Sequence, residues 1–185
     1  QDGVDYLLRA LAHLRYTLGR QDFYAVIIGK GDAWEELQTV ARDLKLEEHV
    51  WFPGRVSDED LLKYLSTADI CVDPDPANPF NDRSTMIKMM EYMALGKPIV
   101  AFDLTEHRYT AEEAALYVRG NDELEFAGAL QRLMDDPARR EAMGAYGRAR
   151  VEAHLDWRHW APRLLEVYDA LRPAGRRVRI PEAKL

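Results

Sequence analysis

The sequence predicts an α/β domain, a Rossmann-like doubly wound parallel sheet with helices on both faces. Three observations predict it. Short β-rich apolar runs alternate along the chain with helical patterns of ten or more residues. Those runs are apolar throughout rather than alternating, as strands covered on both faces must be. The 185 residues are 47% hydrophobic, enough for about one packed domain.

Taken in order, Val4, Leu7, Leu8, Leu11 and Leu14 recur at helical spacing and predict a helix over 4–18. Phe23 to Ile28 is a β-rich run stopped by Gly29, hence a buried strand. Leu37, Val40, Ala41 and Leu44 mark a helix over 33–45, and Val50-Trp51-Phe52 is a second strand ended by Pro53-Gly54. Asp58 is an expected N-cap for the helical Leu61, Leu62, Tyr64, Leu65 stretch. A third strand, Asp69 to Asp73, runs into a breaker-rich loop over 74–81. A helix over 84–95 follows, stopped by Gly96 with Pro98 just beyond. Pro98 to Phe102 is a fourth strand, and a short helical piece near 105–113 leads to a fifth, Leu116-Tyr117-Val118. The remainder reads as helices over 122–134, 137–153 and 157–171. The domain is thus expected over 1–171, with a basic tail at 172–185 carrying Arg172, Arg176, Arg177 and Arg179.

Composition excludes several function classes. With 32 acidic and 25 basic residues the chain carries a net charge of −7, which argues against general nucleic-acid binding. The single cysteine, Cys71, rules out an intramolecular disulfide and a zinc site built on several thiolates. No apolar run approaches the ~18 residues of a membrane span. No basic stretch followed by an apolar one marks a secretory signal, so a cytoplasmic location is expected. The start, Gln1-Asp2-Gly3, lacks an initiator methionine and reads as part of a longer protein.

The segment richest in chemistry is 81–98. Its helix is apolar almost all round (Met86, Ile87, Met89, Met90, Met93, Ala94) and is expected to be buried. Ser84, Lys88 and Glu91, spaced four and three, fall on one narrow arc of that helix. A buried polar stripe needs a partner, and a lysine in the first turns opposes the helix dipole unless an anion is present. Free amides, the Ser84 and Thr85 hydroxyls and Lys88 would together hold a phosphate, and Glu91 the paired hydroxyls of a ribose. The same spacing also suits a plain Lys88–Glu91 salt bridge with Ser84 as an ordinary N-cap. In a doubly wound sheet, ligands sit at the carboxyl ends of the strands, which directs attention to the loops after residues 28, 52, 73 and 102.

Glu91 to Ala101, EYMALGKPIVA, resembles the E-A-M-A-x-G-x-P-V-V-A element of the retaining group 1 glycosyltransferases (family 4, GT-B fold). Ile27 to Gly31 resembles that family's I-V-G-x-G, Val50 to Gly54 its V-x-F-x-G, and Ala68 to Val72 its A-D-V-x-V. Leu155-Asp156-Trp157 and Val167-Tyr168 resemble its F-S-W and V-Y, so the likeness runs in order over about 3–171. The resemblance implies the donor half of a GT-B enzyme that moves a sugar from a nucleotide-diphosphate sugar to an acceptor hydroxyl, in glycan, polysaccharide or glycolipid synthesis. It implies that Glu91 holds the donor ribose, that 84–87 (Ser84, Thr85, Met86, Ile87) meets the diphosphate, and that Gly54 and Arg55 lie near the base. It implies no cofactor and no metal, with Lys88 and the helix start carrying the leaving-group charge.

There are departures. The family's first glutamate stands eight residues before the second, where this chain has Arg83; Asp82 or Asp75 is the expected substitute. Met86 and Ile87 replace the usual glycine and leucine at the helix start. Asp2 to Leu8 matches only the end of the family's first element, in which a strand and a loop with an arginine and a lysine precede the helix, so that basic pair is absent from this chain and the first strand is expected to be missing from the centre of the sheet. The N-terminal acceptor-binding domain is the expected partner. Membrane contact is expected only through that half or the basic tail, as a peripheral association with the inner face.

Other residues carry two readings each. Gly29-Lys30-Gly31 is a turn or a ligand loop, Arg55 a solvated or a base-side cation, and Asp73 and Asp75 solvated loop carboxylates or donor contacts. Asp103, Glu106, His107 and Arg108 read mainly as structural. His13, His49, His154 and His159 lack metal-ligand spacing. Cys71, Trp34, Trp51, Trp157 and Trp160 are expected in packing, and the arginine tail in water or on anionic lipid. Two other functions fit the fold, a sugar-nucleotide epimerase and a doubly wound interaction module without ligand.

Overall fold

Five strands and eight helices alternate in the computed structural model, which describes residues 2–171. The basic tail lies outside the described residues, and with it the lipid reading of its arginines. The order is α1 (Val4–Ala12), β1 (Ala25–Ile28), α2 (Trp34–Asp43), β2 (Val50–Gly54), α3 (Asp58–Thr67), β3 (Cys71–Asp73), α4 (Ile87–Ala94), β4 (Ile99–Phe102), α5 (Thr105–Ala111), β5 (Ala115–Val118), α6 (Glu123–Asp135), α7 (Pro137–Arg150) and α8 (Trp157–Ala170). Wider turns, His13–Thr17 and Val151–Leu155, extend α1 and α7. The cap of α3 is Ser57 rather than Asp58. Ser57 Oγ accepts from the Asp60 amide at 3.1 Å, which makes Asp58 a first-turn acid facing the helix dipole.

All strand pairs are parallel, but the sheet is in two pieces, β1–β2 and β3–β4–β5. Between them lies a cavity of about 430 Å³ edged by Val26 and Ile28 of β1 and Cys71 and Val72 of β3, with Leu11 and Tyr92 among its walls. This is where the central strand expected to be missing would lie. The amides of Ala25 and Gly29 point to β2, and that of Cys71 to Pro98 at the start of β4. Because backbone groups alternate sides along a strand, those of Val26, Ile28 and Val72 face the gap.

Strand β4 shows why both faces are covered. It is fully buried, with Val100 and Phe102 in one core beside α1 and α6, and Ile99 and Ala101 in the other beside Met89 and Met93 of α4. Two glycines set close approaches. A Cβ on Gly3, at φ +62, would meet the Pro74 carbonyl oxygen at 1.8 Å, so α1 starts hard against the exit of β3. A Cβ on Gly144 would lie 2.0 Å from the Gly96 carbonyl oxygen, so α7 rests on the turn that ends α4.

The tryptophans divide. Trp34 packs edge-on against Phe52. Trp51 is partly exposed against Tyr64, and Trp157 and Trp160 are exposed, contrary to the packing expectation. They are exposed because α8 has no buried residue and nothing among the described residues covers its apolar side.

Candidate functional site

Strand β3 ends at Asp73 on the carboxyl rim of the sheet. The loop over 74–80 is folded by Asn78, whose side-chain oxygen accepts from the amides of Phe80 (3.0 Å) and Asn81 (2.9 Å). Buried Asn81 donates to the Pro76 carbonyl at 2.9 Å. This turns Asp73 and Asp75 inward, to 0% and 1% exposure, so neither is a solvated loop carboxylate. Both meet Lys88, whose Nζ lies 3.2 Å from Asp73 Oδ1 and 2.8 Å from Asp75 Oδ1. Burial works against the ammonium, but the two carboxylates outweigh it and hold Lys88 above the ordinary lysine range. For Asp75, burial and then the neighbouring Asp73 prevail over Lys88 and raise the carboxyl above its ordinary value.

The helix starts later than expected. Ser84 is extended and its hydroxyl donates to the Phe80 carbonyl at 2.8 Å, while the Thr85 hydroxyl donates to Glu106 at 2.7 Å. These acceptors hold both residues out of α4, whose N-cap is Met86 with no side-chain cap. Ser84 is therefore not the N-cap, and the helix contribution to an anion cradle comes from the amides that open at Ile87. Nor is α4 buried all round. Met89 and Met93 are inside, whereas Ile87, Glu91 and Ala94 form an exposed stripe. Lys88 and Glu91 do not pair. Lys88 turns to the rim, and Glu91 is exposed, its side chain with no hydrogen bond or ion pair among the described residues.

Asp82 accepts from the Thr105 amide (2.8 Å) and hydroxyl (3.2 Å), which ties the start of α5 to the loop and holds this carboxyl below its ordinary value. An open groove of about 350 Å³ runs beside it, lined by Asn78, Arg83, Asp103 and Leu104 among others. Gly54 ends β2 at φ +79 beneath the Trp34 ring, and its carbonyl accepts from the Gly29 amide at 2.9 Å. Arg55 is exposed and free of ion pairs among the described residues.

Asp73, which from sequence had two readings, and His107, which read as structural, both lie in the cluster. His107 is fully buried, with Nδ1 2.9 Å from the Phe102 carbonyl and Nε2 3.7 Å from Asp73 Oδ2. Neither Nε2 nor Oδ2 has a hydrogen-bond partner among the described residues. An aspartate closing an otherwise apolar strand at the rim was the available signal for Asp73; a histidine in α5 offered none. Asp73, Asp75 and His107 have ligand atoms within 4.8 Å of one another, a spacing that would admit a metal ion. The Lys88 ammonium already bridges the two carboxylates, so these residues are not read as metal ligands.

Residues 1–136 match the family model described as glycosyl transferases group 1. The chain belongs to the group 1 glycosyltransferases. It is 32% identical over 168 residues to a Corynebacterium glutamicum enzyme named as a GDP-mannose-dependent mannosyltransferase acting on monoacylated α-(1-6)-phosphatidylinositol monomannoside, covering 89% of this chain and 43% of that one. It is 29% identical over 180 residues to the phosphatidyl-myo-inositol mannosyltransferase of Mycobacterium leprae, covering 96% and 46%. Among solved structures, the sucrose-phosphate synthase of Thermosynechococcus elongatus superposes with a TM-score of 0.77 at 28% identity, over 92% of this chain and 42% of that one. The Anabaena HepE protein in complex with UDP gives 0.78 at 19% identity, over 92% and 46%, a likeness of fold. This group 1 glycosyltransferase chain thus spans less than half the length of these relatives. No helix among its described residues is long and apolar enough to cross a membrane.

Proposed function

We propose that the chain is the donor-binding half of an enzyme that transfers a sugar, with retention, from a nucleotide-diphosphate sugar to an acceptor hydroxyl held by the other half. The observation that carries this reading is the setting of Lys88. An ammonium has three donors, and Asp73 and Asp75 take two, leaving one N–H for a phosphoryl oxygen. The uncapped opening amides of α4 add a second source of positive potential at the same rim. As the glycosidic bond breaks, these groups stabilise charge building on the leaving diphosphate, an electrostatic role filled without a metal. The resemblance assigns Glu91 to the ribose hydroxyls and the Gly54–Arg55 corner to the base, and the exposed, unpaired state of Glu91 and Arg55 is compatible with both roles. The GDP-mannose in the name of the Corynebacterium relative and the UDP bound to the HepE neighbour support the ligand class, and the phosphatidylinositol in the mannosyltransferases' names supports a glycolipid acceptor.

Calorimetry of the intact enzyme tests the reading. Lys88→Ala and Glu91→Ala are each expected to weaken binding of GDP-mannose or UDP-glucose by about tenfold or more, the worth of a hydrogen bond to a charged group. Unchanged affinity in both variants would refute the assignment.

A further inference from the structure

We propose that Asp73 and His107 form a proton-binding site coupled to the anion site at Lys88, such that one proton enters between His107 Nε2 and Asp73 Oδ2 when a nucleotide-diphosphate sugar binds. The inference rests on the donor-binding reading above.

Its basis is a pair of facing acceptors. The partner of His107 Nδ1 is the Phe102 carbonyl, which only accepts, so Nδ1 carries the hydrogen. In the neutral ring Nε2 then presents a lone pair, and 3.7 Å away stands Asp73 Oδ2, also without a donor among the described residues. Both residues are completely buried. Two lone pairs facing each other away from water are unfavourable, and a single proton converts them into a charge-assisted hydrogen bond. With His107 neutral and both carboxylates ionised, Lys88 leaves the cluster one negative charge in excess; the added proton brings it to zero. A diphosphate drawn to Lys88 adds negative charge and competes with Asp73 for the ammonium. The proton supplies the missing cation and comes from solvent, with no bond made or broken elsewhere.

The groups around the ring are consistent with this. Asp73 faces it from β3, while Asp75 and Lys88 complete the cluster from the loop and α4. Asp82, from the turn Asn81–Arg83, is close enough to feel its charge. Tyr117 of β5 donates its hydroxyl to the His107 carbonyl at 3.1 Å, leaving the ring nitrogens untouched. On α5 itself Glu106 is occupied by Thr85 and Arg108 by Asp103.

The test is calorimetry of the intact enzyme with UDP-glucose and GDP-mannose, with chelator present, in buffers of equal pH and different ionisation enthalpy. Both probes have a diphosphate esterified at each end, so they remain anions whose charge does not change with pH around pH 7. Uptake of about 0.5–1 proton per ligand is expected, with affinity falling by up to about tenfold per unit rise in pH. His107→Gln is expected to bind but to take up almost none. Ring carbon and nitrogen NMR shifts of His107 in the unaltered enzyme, free and with ligand, provide the same readout without a variant and should move to the imidazolium pattern on binding. Equal uptake in the His107→Gln enzyme, or a ring that stays neutral in the complex, overturns the coupling. Binding without proton uptake overturns the coupling alone. Failure of both donors to bind removes the donor-site reading and the coupling with it. Binding that appears only with added zinc would make the cluster a metal site and reject the proton.

Discussion

Lys88 Nζ stands 2.8 Å from the buried Asp75 Oδ1, and that contact turns the lysine from a helix-face residue into part of the sheet's carboxyl rim. Removing the cation while leaving both carboxylates exposes the cost of unpaired buried charge. Lys88→Met is expected to lower stability by about 3 kcal/mol, and adding Asp75→Asn to restore part of it. Urea unfolding of the single and double variants checks this; an additive double variant would mean that the two residues do not depend on each other.

Glu91 is the contrasting case. It is exposed and unpaired, so Glu91→Gln should leave the unfolding midpoint unchanged, within about 0.5 kcal/mol, while nucleotide-sugar affinity falls. A large loss of stability would show that Glu91 supports the fold.

Burial raises the thiol of Cys71, the chain's single cysteine, to about 12. Only the thiolate reacts, so at pH 8 very little of the native protein is reactive at any moment. Iodoacetamide should label native protein far more slowly than urea-unfolded protein, and mass spectrometry reads the difference. Equal rates would contradict the burial.

The gap between β1 and β3 leaves the backbone groups of Val26, Ile28 and Val72 without strand partners among the described residues. A parallel strand there would pair them. In the full-length enzyme these three amides are expected to exchange with deuterium at least about tenfold more slowly than in residues 1–185 alone. Matching rates in the two proteins would show that no strand fills the gap.

Gly144 leaves no room for a side chain, since its Cβ would sit 2.0 Å from the Gly96 backbone oxygen. Gly144→Ala should push α7 off the turn after α4 and cost about 1–3 kcal/mol, measured by thermal unfolding. Gly128, with open space around it, is the control, and Gly128→Ala should be neutral or stabilising.

The strand and helix order was legible because periodicity and breakers are local. Apolar runs stopped at Gly29 and Gly54 are β1 and β2, and Asp122, Asp136 and Asp156 cap α6, α7 and α8 close to where those helices were expected to start. The start of α4 was not legible. Ser84 and Thr85 have good N-cap chemistry, but the acceptors that hold them extended, Phe80 O and Glu106, lie in the preceding turn and on a separate helix.

By itself the sequence determined the layer architecture, the family resemblance and the rim segment holding Lys88 and Glu91, because spacing along one chain encodes faces and stops. Only the tertiary structure decided where the charges go. It sent Lys88 to Asp73 and Asp75, left Glu91 in water, and brought His107 from a helix 34 positions later against Asp73. Those pairings depend on how strands and loops stack in space, and the Coulomb and desolvation energies that select them act between residues whose separation in sequence carries no signal.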